Sequence, residues 1–142
     1  SRATRPKPFI PLLGKSTLYQ STLERCSDRS IFGAPIVVVT LGAEGALAMC
    51  AAGNVRVPAP RVEVVDTVGA GDAFMTGLVD ALWTHDLLGA PRRAALAGVD
   101  TDTLTATVRA ATLCAAVTVT RAGADLPDRA ALESTGSSEI LG

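Results

Sequence analysis

Asp66-Thr67-Val68-Gly69-Ala70-Gly71-Asp72 sets two carboxylates, a hydroxyl and two glycines in seven consecutive positions. Glycine at 69 and 71 lets the backbone take unusual dihedrals and lets a ligand approach the main chain closely. The apolar spacing of Phe74, Leu78, Val79 and Leu82 predicts a helix that starts near Asp72 and runs to about Trp83. The amides of Ala70, Gly71 and Asp72 then gather at a helix start, where N–H groups lack partners and the macrodipole is positive. Such a place binds anions, and it stabilises charge that develops on a phosphate during transfer. A carboxylate at position 72 reads two ways. It caps the helix, as Asp commonly does, or it takes the proton of a hydroxyl attacking the phosphoryl group. Local physics leaves both readings open.

Regular structure must present this loop. Ile36 to Thr40 is a continuous β-branched run, which predicts a strand buried on both faces. Leu41-Gly42-Ala43-Glu44-Gly45 reads as a turn, Ala46 to Cys50 as a second strand, and Gly53-Asn54 as another turn. Val55 to Val57 leads through Pro58 and Pro60 into a further predicted strand, Val62 to Val65, just before the loop. A second long helix is predicted from about Asp102 to Val117, with Leu104, Val108, Ala111 and Ala115 on one face. A turn from Thr120 to Pro127 and a short helix from Asp128 to Leu132 follow. Upstream, Pro6, Pro8 and Pro11 interrupt any early element, and only a thin apolar stripe supports a short helix within 15–29. Strands followed by helices indicate an α/β fold.

Asp66 to Asp72, continued by Ala73-Phe74-Met75-Thr76-Gly77, resembles the DTxGAGD signature of the ribokinase-like (PfkB) carbohydrate kinases. Val39-Thr40-Leu41-Gly42-Ala43-Glu44-Gly45-Ala46 resembles the strand and turn lining the family's nucleotide site. Val119-Thr120-Arg121-Ala122-Gly123-Ala124-Asp125 resembles the loop that closes over the adenine, and within the family it looks most like fructokinases. The resemblance covers roughly residues 34–133 and implies the C-terminal nucleotide-binding part of a ribokinase-like α/β fold. It implies ATP-dependent phosphoryl transfer to a sugar hydroxyl, with Asp72 as general base and Gly69, Ala70 and Gly71 as the anion hole. Thr40, Gly42, Gly45 and Gly123 are then nucleotide-binding, and Thr112 stands where many relatives place an Asn near the adenine. Asp66, Val68, Arg121 and Gly123 correspond to a loop that holds a monovalent cation through backbone carbonyls. ATP, magnesium and potassium are the implied cofactors.

Residues 1–33 show no likeness to the family, so they are expected to form an atypical, poorly ordered lead segment, and 134–142 a flexible tail. The family's N-terminal half, with its sugar-binding residues, Gly-Gly motif and lid, is expected to be absent, as is an Asn-x-x-Glu motif that helps organise magnesium. The alternative reading is therefore a truncated, non-catalytic nucleotide-binding or interaction fragment. Its expected partners are the missing half or a second copy of the chain.

Composition narrows the field. With 13 basic and 14 acidic residues and a net charge of -1, the chain has no basic excess to neutralise a nucleic-acid backbone. No apolar run is long enough for a membrane, and no basic-then-apolar leader is expected. Cys26, Cys50 and Cys114 lack CxxC spacing and read as reduced thiols of a cytoplasmic protein, while the lone His85 cannot complete a zinc site. Gly14-Lys15-Ser16-Thr17 imitates the end of a P-loop, but Phe9 stands where that loop needs its first glycine. Asp100 and Asp102 read as helix-start residues, Arg92-Arg93 as a solvated pair, and His85-Asp86 as a post-helix feature. Trp83 is expected to pack the helix edge, and Met49 and Met75 to serve as apolar fill.

Overall fold

A computed structural model describes residues 11–28, 30, 33 and 35–136. Their contacts divide the chain into two units, Ser1–Pro35 and Ile36–Gly142. In the first, β1 (Pro11–Leu13) pairs antiparallel with β2 (Ser16–Thr17) around Gly14, whose φ of 72° needs a glycine. The α1 helix (Leu18–Arg25) follows at once, inside the range predicted for a short helix. Thr17 and Gln20 close a capping box, with the Thr17 hydroxyl accepting from the Gln20 amide at 3.1 Å and Gln20 Oε1 from the Thr17 amide at 2.8 Å. The string resembling a P-loop is thus a hairpin turn and a helix cap.

The second unit opens with an antiparallel meander of β3 (Val37–Thr40), β4 (Ala46–Cys50) and β5 (Gly53–Val57). Side chains alternate across it. Val38, Ala46, Ala48, Cys50, Val55 and Val57 face the core, and Met49 and Arg56 point the other way. Here the prediction for 36–40 needs correction: β3 is an edge strand, half-buried, with Thr40 exposed. An apolar run signals a doubly covered strand only when layers lie on both faces, and among the described residues the helix that packs on this sheet, α4, lies on the core-facing side. The β4–β5 turn falls at Ala51-Ala52, and Gly53 is already paired with Cys50.

The predicted strand Val62–Val65 does not form either. The segment 58–67 has no ladder partner among the described residues; its Val65 and Asp66 amides are held by the Val119 carbonyl at 2.8 and 3.2 Å. Propensity without a neighbouring strand gives extended chain.

The remaining helices are α2 (Ala70–Thr84), α3 (Arg93–Ala97), α4 (Thr101–Val119) and α5 (Arg129–Gly136). Asp100 caps α4, accepting from the Thr103 amide at 2.7 Å, and Asp102 lies in its first turn. The second unit's core joins Leu104, Val108 and Ala111 of α4 to Phe74 of α2 and the inner face of the sheet. α4 is buried on the faces that meet the sheet and α2, with Asp102, Ala106, Arg109 and Ala110 left as an exposed stripe. That explains its Ala- and Thr-rich composition. The Thr107, Thr112 and Thr118 hydroxyls donate back to Thr103, Val108 and Cys114 carbonyls at 2.7–3.0 Å, which satisfies them inside the helix.

The α2 helix buries Ala73, Phe74, Gly77 and Ala81 but leaves Met75, Val79 and Trp83 outside. Met75 is therefore not fill, and Trp83, 72% exposed, does not pack the helix edge. Arg92 and Arg93 are both exposed, as expected of a solvated pair, and Arg92 also pairs with Asp86. α5 runs past Leu132 to Gly136. The remainder of the expected tail, and the prolines at 6 and 8, lie outside the described residues.

Candidate functional site

The α2 helix starts at Ala70, two residues earlier than its apolar period indicates, because Gly69 adopts φ 80° and turns the chain into the helix. Asp72 is consequently the third helical residue and not the cap, and no side chain caps α2. The capping reading of Asp72 is overturned. Its carboxylate is exposed and accepts no hydrogen bond among the described residues, while its main-chain carbonyl accepts from the Thr76 hydroxyl at 2.9 Å.

The Ala70 amide reaches back to the Thr67 carbonyl at 3.4 Å and the Ala73 amide to Gly69 at 2.8 Å. The amides of Gly71 and Asp72 have no such partner among the described residues, as helix geometry requires of a first turn. A Cβ built on Gly71 meets nothing within 4 Å. The loop therefore offers free donors, the positive end of a helix of 15 residues and open space beside them, which fits a phosphate.

The preceding turn is tied down by Asp66. Its Oδ1 accepts from the Val68 amide at 3.1 Å and its Oδ2 from the Gly123 amide at 3.0 Å, on the loop after α4. These two bonds, Val68 first and Gly123 second, hold the Asp66 carboxyl below the usual carboxylate range. Close packing adds to them: a Cβ on Gly69 would stand 2.7 Å from the Ala124 Cβ. Asp66, Val68, Gly69 and Gly123 are thus brought together. Sequence reasoning gave Asp66 only its backbone carbonyl. The bond to Val68 has a local signal, since Asp often accepts from the amide two residues on. The bond to Gly123 has none, because it depends on how α4 folds back.

Arg121 pairs with Asp125 at 3.0 Å within its own loop. Thr40, Gly42 and Gly45 lie on the β3–β4 turn, which closes on itself through the Leu41 amide to Gly45 at 2.7 Å and the Gly45 amide to Gly42 at 3.0 Å. Gly45 has a packing reason to be glycine: a Cβ there would come within 2.0 Å of the Val57 carbonyl oxygen. No hydrogen bond joins this turn to the Asp66 or Gly123 loops among the described residues. Thr112 is 5% exposed with its hydroxyl committed to Val108 at 2.7 Å, so it is not presented to a ligand at the surface. No cluster of three or more His, Cys, Asp or Glu suited to a metal ion occurs among the described residues.

Residues 17–131 match the pfkB family carbohydrate kinase pattern. The chain belongs to that family. The match begins at residue 17 and takes in α1, so the expectation that residues 1–33 bear no likeness to these kinases is corrected from residue 17 onward. Among family members, the chain is 51% identical over 61 residues to an aminoimidazole riboside kinase of Salmonella typhimurium (strain LT2), covering 39% of this chain and 19% of that protein. It is 52% identical over 56 residues to a fructokinase of Rhizobium leguminosarum bv. trifolii, covering 39% of this chain and 17% of that protein. The fold is α/β and ribokinase-like: the crystal structure of a Vibrio cholerae O395 fructokinase, solved with fructose, ADP and calcium, superposes with a TM-score of 0.57 at 33% identity. That superposition covers 85% of this chain and 35% of the fructokinase, so the chain spans about a third of its solved relative.

Proposed function

We propose that this chain carries the nucleotide-binding and phosphoryl-transfer loop of an ATP-dependent sugar kinase, with Asp72 as general base. The observation that supports it is the state of Asp72: an exposed carboxylate, free of any capping duty, one turn into a helix whose Gly71 and Asp72 amides have no partner. A sugar hydroxyl oxygen attacks the γ-phosphorus as its proton passes to the Asp72 carboxylate. The bond from that phosphorus to the bridging oxygen breaks, and ADP leaves with the electron pair. The amides of the Gly69–Gly71 turn and α2's first turn face the charge that builds on the phosphoryl oxygens.

ATP lies between this turn and the loop 120–125, with Thr40, Gly42 and Gly45 on its nucleotide side. Magnesium neutralises phosphate charge when bound. The lack of an acidic cluster among the described residues fits an ion carried largely by the phosphates themselves. Backbone carbonyls of Asp66, Val68, Arg121 and Gly123 are the proposed donors for potassium, and the Asp66–Gly123 bond sets those two loops side by side.

A second reading is a nucleotide-binding fragment without turnover. It is the reading that remains if no side chain among the described residues holds a sugar. A coupled ADP-release assay across a sugar panel separates the two, run on this chain and on any longer protein that contains it. In whichever protein turns over, Asp72→Asn is expected to lower kcat by roughly a hundred to ten thousand fold. ADP affinity and melting temperature should barely move. Near-normal phosphorylation by Asp72→Asn removes Asp72 from the catalytic role; ADP binding with no sugar phosphorylated by any of these proteins leaves the fragment reading.

A further inference from the structure

We infer that the Asp66 carboxylate is a positioning group that couples the loop opening α2 to the loop after α4, so that phosphate-facing amides and the nucleoside-facing loop are held as one body. The inference rests on the reading given above of what those two loops bind. Both oxygens of this one side chain are in use, Oδ1 on the Val68 amide at 3.1 Å and Oδ2 on the Gly123 amide at 3.0 Å, across 57 positions of sequence. The loops also touch where Gly69 meets Ala124, with no room for a side chain at 69. Every other polar side chain there acts locally. Arg121 is paired within its own loop to Asp125, and the Thr120 hydroxyl donates to the Val117 carbonyl at 2.7 Å. Among the described residues, Asp66 is thus the one side chain whose hydrogen bonds span the two loops.

The chemistry explains why a carboxylate stands there. Two N–H groups converge on one side chain, and only a carboxylate offers two acceptor oxygens and no donor. Asparagine keeps the volume and one acceptor, but it turns an NH2 group toward one of the two amides. The phosphate end and the nucleoside end of a bound ADP are then no longer fixed relative to each other. Binding energy that depends on both ends being placed together is lost, while contacts to the nucleoside alone persist.

The test compares ADP and adenosine affinities of the unsubstituted chain and Asp66→Asn by calorimetry, with amide hydrogen exchange on the same ligand-free samples. Asp66→Asn is expected to weaken ADP on the order of tenfold, the scale of one hydrogen bond to a charged group. Adenosine affinity should hardly change, so the ratio of the two affinities falls, which a general loss of stability does not produce. The amide of Val68 or Gly123 should exchange about tenfold faster, with those of Val108 and Ala111 unaffected. An unchanged affinity ratio together with unchanged exchange overturns the coupling. Equal acceleration at Val108 and Ala111 also overturns it, by showing a general structural tie. Full recovery of ADP binding in saturating potassium overturns it too, since the carboxylate then acts through a bound cation. If the unsubstituted chain binds no nucleotide, the reading of the site fails, and the exchange measurement alone still decides whether Asp66 joins the loops.

Discussion

Gly71, Gly69 and Gly45 are glycines for three different reasons, and substitution separates them. At Gly71 the space above the backbone is open and φ is ordinary, so a side chain is tolerated by the fold itself. Gly69 at φ 80° and Gly45 at φ 96° each face neighbouring atoms closer than 3 Å and are fixed by the fold. Gly71→Val is therefore expected to leave the melting temperature within a few degrees, since valine is a slightly better helix former than glycine. It places a branched side chain where a phosphate must approach the amides, and ADP should bind at least about tenfold more weakly. Calorimetry decides: unchanged affinity with a normal melt locates the phosphate site elsewhere. Asp72 completes the contrast. Its acidic side chain sits in a helix first turn, where charge is favourable, yet it accepts no hydrogen bond among the described residues.

At the level of elements, the site is only as well placed as the α2–α4 contact. The two helices are in close contact at Gly77, where an added Cβ would come 2.8 Å from the Cys114 Cβ and 2.9 Å from the Ala111 Cα. Both obstacles sit on the buried face of α4 and cannot swing aside as a flexible side chain does. Gly77→Ala must push α2 away, and overpacking of this kind costs on the order of 1–3 kcal/mol. The propensity gain of about 1 kcal/mol for alanine in a helix offsets only part of it. The expected outcome is a lower urea midpoint with an unchanged slope. A midpoint equal to that of the unsubstituted chain would show that α2 slides without loss. The same contact explains why Phe74, two residues past Asp72, is buried: it pins the first turn of α2 to the core.

Across the whole molecule, the two units differ in how they are held. The helix of the first, α1, has eight residues, a capping box and mostly exposed side chains, whereas α4 has 19 residues and is buried along most of its length. Local opening follows buried apolar contact. In this chain, amides of α1 are expected to exchange at least about a hundredfold faster than those of Val108 and Ala111. Comparable protection in both would show that the segment before Ile36 is as firmly built as the second unit. Apolar side chains also stand outside: Val64, Val65, Val68, Met75, Val79 and Trp83 are each about half exposed or more. No helix among the described residues is long and apolar enough to cross a membrane.

The family was legible from residues alone, because its DTxGAGD signature sets glycines and carboxylates at fixed spacings that survive in the one-dimensional string. The long helices were legible for a similar reason: Leu104, Val108 and Ala111 repeat at helical spacing, and Asp100 caps the start. What failed depended on neighbours. Val62–Val65 has strand composition but no strand to pair with among the described residues, and Ile36–Thr40 has the composition of a central strand but lies at an edge. Asp72 reads either as a cap or as a base from its sequence position, and only the left-handed turn at Gly69, which starts the helix at Ala70, removes the capping reading. The link from Asp66 to Gly123 lies still further from sequence. It exists because α4 returns the chain beside the loop that opens α2, and no periodicity or propensity encodes a contact between a carboxylate and a backbone amide 57 residues away.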